Sequence, residues 1–368
     1  MMARKKKQLM VLLITLGVAV LLLAGLLIWN WYSGKQQAAA EEAALVHVTT
    51  VEDPVQLTYC NGTDTLAFTK EGDDWKSKDT PDFPLDSTFL ETIVTALADL
   101  TADRELDIVD ELSAYGLEDA KSWITVTDED GKEATLCLGN TTGESDYYAM
   151  LKGGDTIYTI PGDLVTDISY DLYGLAKLAE FPALSSSNTR QVTIQGKLKS
   201  TLTVEEAENG TDSEADSSEA SSADSSAEGT DTKEYNWYLS GDVDVTKEAY
   251  LTALRTEIDS IAFSRLYDFQ PSAKALKRCG LSDPAAALTV EYLDSEEERQ
   301  TVTLLLGASY TDEAGTEYRY AMLQGSEDEV YLVTADSVRQ TLAAAEHGYA
   351  QASADYNDEA SESTQTTE

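Results

Sequence analysis

The side chains able to do chemistry are few and scattered. Two histidines occur, His47 and His347, at opposite ends of the chain. A histidine base or a zinc centre needs imidazoles gathered in one pocket with further ligands, and this spacing predicts neither. The three cysteines, Cys60, Cys137 and Cys279, are odd in number and widely separated, which fits neither a disulfide framework nor a zinc pattern. One pair among the three stays open. Cys137 lies in the alternating run Ala134–Leu138 and reads as a strand residue. Asp128-Glu129-Asp130-Gly131 offers the oxygen ligands that hard cations take. It lacks EF-hand spacing, however, and reads as a charged hairpin tip. The run Gly139-Asn140-Thr141-Thr142-Gly143 has no lysine and no following helix, so it reads as a loop and not as a phosphate cradle. No nucleophile elbow, Walker or dinucleotide motif is present. The sequence therefore predicts no catalytic, cofactor-binding or metal-ligating residues. Among the 19 tyrosines, Tyr147, Tyr148, Tyr318 and Tyr320 fall at alternating positions of predicted strands. Cross-strand packing and a glycan- or peptide-contacting interaction face both remain open for them.

Charge narrows the classes of partner. The 368 residues carry 67 acidic against 26 basic side chains, a net charge of −41. Such a surface repels phosphate backbones, so nucleic-acid binding is excluded as an expectation. The basic residues that do cluster, Arg4 to Lys7, precede an uncharged run from Leu9 to Trp29. About 20 apolar residues span a bilayer core. Trp29, Trp31 and Tyr32 follow at the headgroup level. The positive-inside rule predicts a single-pass anchor in the lipid bilayer over 9–32, a cytoplasmic segment at 1–8, and the bulk outside the cytoplasm at the cell membrane. A signal peptide cleaved near Ala38-Ala39-Ala40 is the competing reading. Its hydrophobic region is usually shorter, roughly 7–15 residues.

The elements that follow repeat. The first series runs Trp75, Pro84-Leu85-Asp86, a helical pattern, Tyr115-Gly116-Leu117, alternating Trp123–Thr127, Leu136-Cys137-Leu138-Gly139, Tyr147-Tyr148-Ala149-Met150 and Ile157–Ile160. The second runs Trp237, Val243-Asp244, a helical pattern, Cys279-Gly280-Leu281, Leu288–Tyr292, Leu304-Leu305-Leu306-Gly307, Tyr318–Met322 and Val330–Val333. Helical periodicity is predicted over 86–101, opened by Asp86, and again over about 246–261. Asn61-Gly62, Asp130-Gly131 and Gly153-Gly154 mark hairpins. The expected fold is α+β: two tandem antiparallel β-meander modules, each with one main helix, after a single transmembrane helix. The boundaries are a stalk at 33–52, a first module at 53–170, a connector at 171–189 and a second module at 190–345. An acidic insertion at 207–232 holds eight acidic and no basic residues. It is expected to be disordered, as is the acidic tail at 346–368. Trp75, Gly116, Gly139, Trp237, Gly280 and Gly307 are the structural landmarks.

These motifs resemble the bacterial DUF4340 family. The Tyr-Gly-Leu-x-Asp turn, the Leu-x-Leu-Gly strand end, the tyrosines before Ala-Met and the Val/Ile-Tyr strand carry the likeness, over roughly residues 50–345. The resemblance implies an accessory envelope role beside ABC transporters of the gliding-motility type, with transporter subunits as partners. It transfers no catalytic residues. The function expected is a non-enzymatic, membrane-tethered binding or scaffold protein. The alternative is a sensor taking a small ligand, glycan or cation between the two modules. An envelope hydrolase lacks the residue constellations it would need.

Overall fold

The computed structural model describes residues 46–365, apart from 49–50, 52, 99, 107–109, 144 and 208–233. The predicted anchor, the cytoplasmic segment, most of the stalk and nearly all of the acidic insertion lie outside the described residues. No helix among the described residues is long and apolar enough to cross a membrane. The chain divides into two compact units, Met1–Asp171 and Leu172–Glu368. Both are built of antiparallel sheets with few helices, a mixed α/β architecture.

Unit 1 runs β1 (Val46–His47), β2 (Pro54–Asn61), β3 (Thr65–Glu71), β4 (Asp74–Ser77) and α1 (Ser87–Ala98). It continues with β5 (Thr101–Ala102), β6 (Arg104–Leu106), a 3₁₀ turn (Leu112–Tyr115), β7 (Ser122–Asp128) and β8 (Glu133–Thr141). It ends with β9 (Asp146–Leu151), β10 (Ile157–Pro161) and α2 (Asp163–Asp167). Eight strands form one sheet in the order β4-β3-β2-β7-β8-β9-β10-β6, and β1 pairs with β5 separately. Strand alternation sends Leu57, Tyr59, Phe68, Ile124, Val126, Leu136 and Leu138 to one buried face. The register holds them in rows, Phe68–Leu57–Val126 and Tyr59–Ile124–Leu136. Helix α1 adds Leu90, Ile93, Val94 and Leu97 at helical spacing. Burying each such side chain contributes about 1.5–3 kcal/mol. The helix starts where the Asp86 carboxylate accepts the Thr88 N–H at 3.0 Å.

Unit 2 begins with a 3₁₀ turn (Tyr173–Leu175), then β11 (Thr189–Gln195), β12 (Lys199–Glu206), β13 (Tyr235–Leu239) and β14 (Val243–Asp244). Next come α3 (Ala249–Asp259), β15 (Arg265–Phe269), α4 (Ala273–Arg278), β16 (Ala286–Leu293), β17 (Arg299–Thr311), β18 (Glu317–Leu323) and β19 (Glu329–Thr334). A 3₁₀ turn (Ala335–Val338), α5 (Arg339–His347) and α6 (Tyr349–Gln365) close the unit. Its nine strands take the order β14-β13-β12-β11-β16-β17-β18-β19-β15. With β14 set aside, this is the strand order of the unit 1 sheet. The strands flanking the acidic insertion pair with each other, Glu206 opposite Tyr235.

Three expectations are corrected. The tail expected to be disordered over 346–368 is ordered across its described residues, because Tyr349–Gln365 is a helix. Its Tyr349, Ala352 and Ser353 are buried, and the Tyr349 ring meets Tyr250 of α3 at 5.2 Å. This packing supplies what its polar composition does not. The stalk is shorter than 33–52, because Val46–His47 pairs with β5 and Val48 and Val51 are buried. Gly139, Asn140 and Thr141 are not loop but the end of β8.

Candidate functional site

The landmark residues build the frame of each sheet. Trp75 and Trp237 are both buried. The Trp75 N–H donates to Ser87 Oγ at 3.0 Å, and the Trp237 N–H donates to Thr246 Oγ1 at 2.8 Å. The Trp75 indole also donates to Glu91 Oε1 at 2.9 Å, and Lys70 pairs with the same carboxylate. Burial raises the Glu91 pKa, but the Lys70 and Trp75 hydrogen bonds outweigh it and hold the carboxyl below its usual value. The glycines fit two needs. Gly116 and Gly280 adopt φ of +74° and +71°, a backbone region that a Cβ disfavours. Gly139 and Gly307 lie against the carbonyls of Tyr115 and Cys279, closer than any Cβ permits.

The tyrosines divide between faces. Tyr147 and Tyr148 are consecutive on β9, so they point to opposite sides and do not share one face. Tyr148 packs edge-on against Tyr115 at 5.1 Å. Tyr318 and Tyr320 do share a face of β18. Tyr320 is buried and meets Tyr267 at 4.8 Å, while Tyr310 stands between Tyr318 and Tyr320. Three of the four thus pack internally, in separate clusters.

The acidic tips satisfy their own turns. Asp128 accepts the Lys132 N–H at 2.8 Å. Asp294 accepts from Glu296 and Glu298, and Asp312 from Ala314 and Thr316. Among the described residues no three His, Cys, Asp or Glu side chains are grouped to hold a metal ion. Cys60, Cys137 and Cys279 are all free thiols. Burial raises the pKa of Cys137, with Lys152 opposing, and burial likewise raises that of Cys279. A raised thiol pKa keeps both protonated at neutral pH, the unreactive form.

One concave feature gathers side chains that the sequence does not bring together. On the unit 1 sheet face opposite α1, register aligns Trp123 with Cys137 and Cys137 with Met150. The next row pairs Thr125 with Thr135, whose hydroxyls bond at 2.9 Å. The 3₁₀ turn and the loop after it supply one wall with Leu112, Leu117, Glu118 and Asp119. Lys152 and Glu133 stand at the rim, and the cleft encloses about 490 Å³. Its floor is the half-buried Trp123 indole and Cys137 thiol with the buried Met150 thioether, and its edge is charged. The Leu117 N–H bonding to the Leu112 carbonyl at 3.0 Å fixes the wall over the sheet. A cleft with an apolar base and a few convergent polar groups is the usual form of a ligand site.

A family model for a domain of unknown function, DUF4340, matches residues 75–240. Over that stretch the chain matches the DUF4340 family. The match starts at Trp75 and ends just after Trp237, narrower than the 50–345 that the motifs suggested. It takes in the whole cleft wall and floor, together with the first strands of unit 2. No curated protein and no solved structure matches the chain.

Proposed function

We propose that this DUF4340 protein is a membrane-tethered binding protein acting outside the cytoplasm, and that the unit 1 cleft is its recognition surface. The observation that carries the reading is the cleft itself. A half-buried Trp123 and the Met150 thioether form its floor, and Glu118, Asp119, Glu133 and Lys152 rim it. Among the described residues no ion pair or side-chain hydrogen bond engages those four rim groups. Charged groups of this kind are available to a ligand. Catalysis is not part of the reading, because it names no activated nucleophile. The tether rests on the Leu9–Trp29 run and the basic cluster before it. The family resemblance supports an accessory place beside an ABC transporter, with its membrane subunits as partners.

The two units are read as copies of one ancestral module. Their common strand order supports this. So do the matched Trp N–H to hydroxyl bonds, the matched Thr–Thr pairs and the matched Gly–carbonyl approaches.

A photoreactive residue placed at Glu118 in the intact membrane tests the recognition surface. One placed at Glu296, on an exposed hairpin tip of unit 2, is the control. The expected result is a discrete crosslinked partner from Glu118 alone. Equal labelling from both sites, or none from Glu118, removes the cleft from the proposal. A C-terminal reporter active only outside the cytoplasm tests the orientation, and cytoplasmic activity would reverse it.

A further inference from the structure

We propose that the unit 1 cleft takes a small organic cation with an apolar body, seated on the Trp123 ring and drawn in by Glu118, Asp119 and Glu133. The inference rests on the recognition role given to the cleft above and names its ligand class.

Comparison of the two sheets carries it. Trp123 faces Cys137 across the β7–β8 pair, and the same register position in unit 2 holds Ala287 facing Leu305. The flanking threonine pairs are alike, with hydroxyls 2.9 Å apart in both units. The sheet therefore closes around alanine as well as around tryptophan, and the fold does not require the indole. In unit 2 the neighbouring positions complete an apolar cluster of Cys279, Leu281 and Met322, with Leu276 and Leu305 packed on it. Unit 1 keeps the corresponding Leu112, Leu117 and Met150. At its rim it adds Glu118 and Glu133, where unit 2 has Ser282 and Thr301, and Lys152 where unit 2 has Gln324.

An indole face attracts cations more than any other side-chain ring does. Three rim carboxylates stand against one ammonium, so the field over the ring favours positive charge. These carboxylates are not grouped to chelate, which suits a diffuse ammonium or guanidinium better than a bare metal ion. The apolar floor of Met150 and Cys137 then takes the hydrocarbon part of the same ligand.

The test uses the full chain in nanodiscs with ¹³C-methyl methionine. The chain has five methionines; Met150 lies in the cleft floor and Met322 in unit 2 is the internal control. Phenethylammonium is titrated beside its neutral and anionic counterparts, 2-phenylethanol and 3-phenylpropionate. The expected result is a saturable shift of the Met150 methyl with the cation, at least tenfold weaker with the other two, and no movement of Met322. Trp123→Ala removes the shift. Trp123→Phe, which keeps a ring should the alanine variant misfold, weakens it severalfold. The combined E118Q, D119N and E133Q variant weakens it at least fivefold, and Lys152→Ala strengthens it. Equal or tighter binding of the alcohol or the anion overturns the cation assignment while leaving the cleft as a recognition surface. If no probe moves Met150, the cation assignment falls, and the Glu118 crosslink alone decides whether the cleft is a recognition surface.

Discussion

Replacing Gly139 with alanine tests a close backbone crossing in unit 1. Gly139 ends the buried part of β8, where the Tyr115 carbonyl crosses it. A Cβ there would lie less than 3.0 Å from that oxygen and 3.1 Å from two Leu117 side-chain atoms. The carbonyl belongs to the backbone that places the cleft wall, so it cannot swing aside as a side-chain end would. Overpacking costs roughly 1–3 kcal/mol, and a backbone obstacle puts this case near the top, about 3 kcal/mol. For a domain of this size about 1 kcal/mol moves the melting midpoint by roughly 2–4 °C, so the expected fall is ~6–12 °C. Gly153→Ala is the control. Its φ is +80° and nothing lies within 4 Å of an added Cβ, so only the left-handed backbone penalty remains, ~1–2 kcal/mol. Thermal unfolding of the full chain followed by circular dichroism reads both, and Gly307→Ala gives the matching loss in unit 2. If Gly139→Ala proves no more damaging than Gly153→Ala, the tight crossing is wrong, and with it the rigid wall of the cleft.

Glu257 is buried in α3, where its carboxylate accepts the Gln340 and Thr341 N–H groups at 2.6 and 2.8 Å and the Thr341 hydroxyl at 2.7 Å. Burial nonetheless raises its pKa above the ordinary 4.5. The folded state therefore holds the proton more tightly than the unfolded one. Its stabilising contribution is full below about pH 4.5 and is lost as pH rises through the raised folded value. Glu257→Gln should flatten that part of the stability–pH curve. At neutral pH it should cost ~1–3 kcal/mol, because an amide NH₂ then faces a donor; a wild type gaining on the variant as pH rises through the window would contradict this. Ending the chain at Gly348 removes the buried Tyr349 and Ala352 and should destabilise unit 2 by ~3–5 kcal/mol in urea unfolding, and an unchanged midpoint would show that α6 is dispensable. Trp75→Ala should cost a similar ~3–5 kcal/mol, with Glu91→Gln costing less, and equal effects from both would mean that the indole bond and not the ring burial dominates.

Much of the fold is legible in the sequence because its signals are local. Alternating apolar residues, Asn61-Gly62, Asp130-Gly131 and the Leu90–Leu97 stripe each specify an element within a few residues. The elements that escape have no local signal. Helix α6 presents Tyr349, Ala352 and Ser353 to its neighbours and polar groups elsewhere, so its composition resembles that of a disordered tail until α3 is beside it. Strand β6 is Arg104-Glu105-Leu106, too short and too charged to show alternation. Helix α4 spans six residues, although Ser272 capping the Ala275 N–H is a signal that could have found it. The cleft was illegible for a different reason. Its floor exists only because register sets Trp123, Cys137 and Met150 side by side on three strands. The tyrosines were legible as strand residues, but Tyr147 and Tyr148, being consecutive, cannot share a face.

The strand orders also dictate a folding sequence. In each sheet two runs of neighbouring hairpins, β2-β3-β4 and β7-β8-β9-β10 in unit 1, meet along a single central seam, β2 against β7. The chain leaves the sheet at the β4 edge and re-enters at the opposite edge with β6, crossing seven strand spacings, about 34 Å, by way of α1. The hairpins are local and form early, whereas the seam joins distant segments and sets the pace. Closing it encloses roughly 60 residues in unit 1 and roughly 90 in unit 2, the excess including the acidic insertion. Loop-closure entropy grows only logarithmically, so the longer loop adds only ~0.4 kcal/mol to that step. The longer enclosed stretch of unit 2 is therefore one whose extra length scarcely slows the assembly of its sheet.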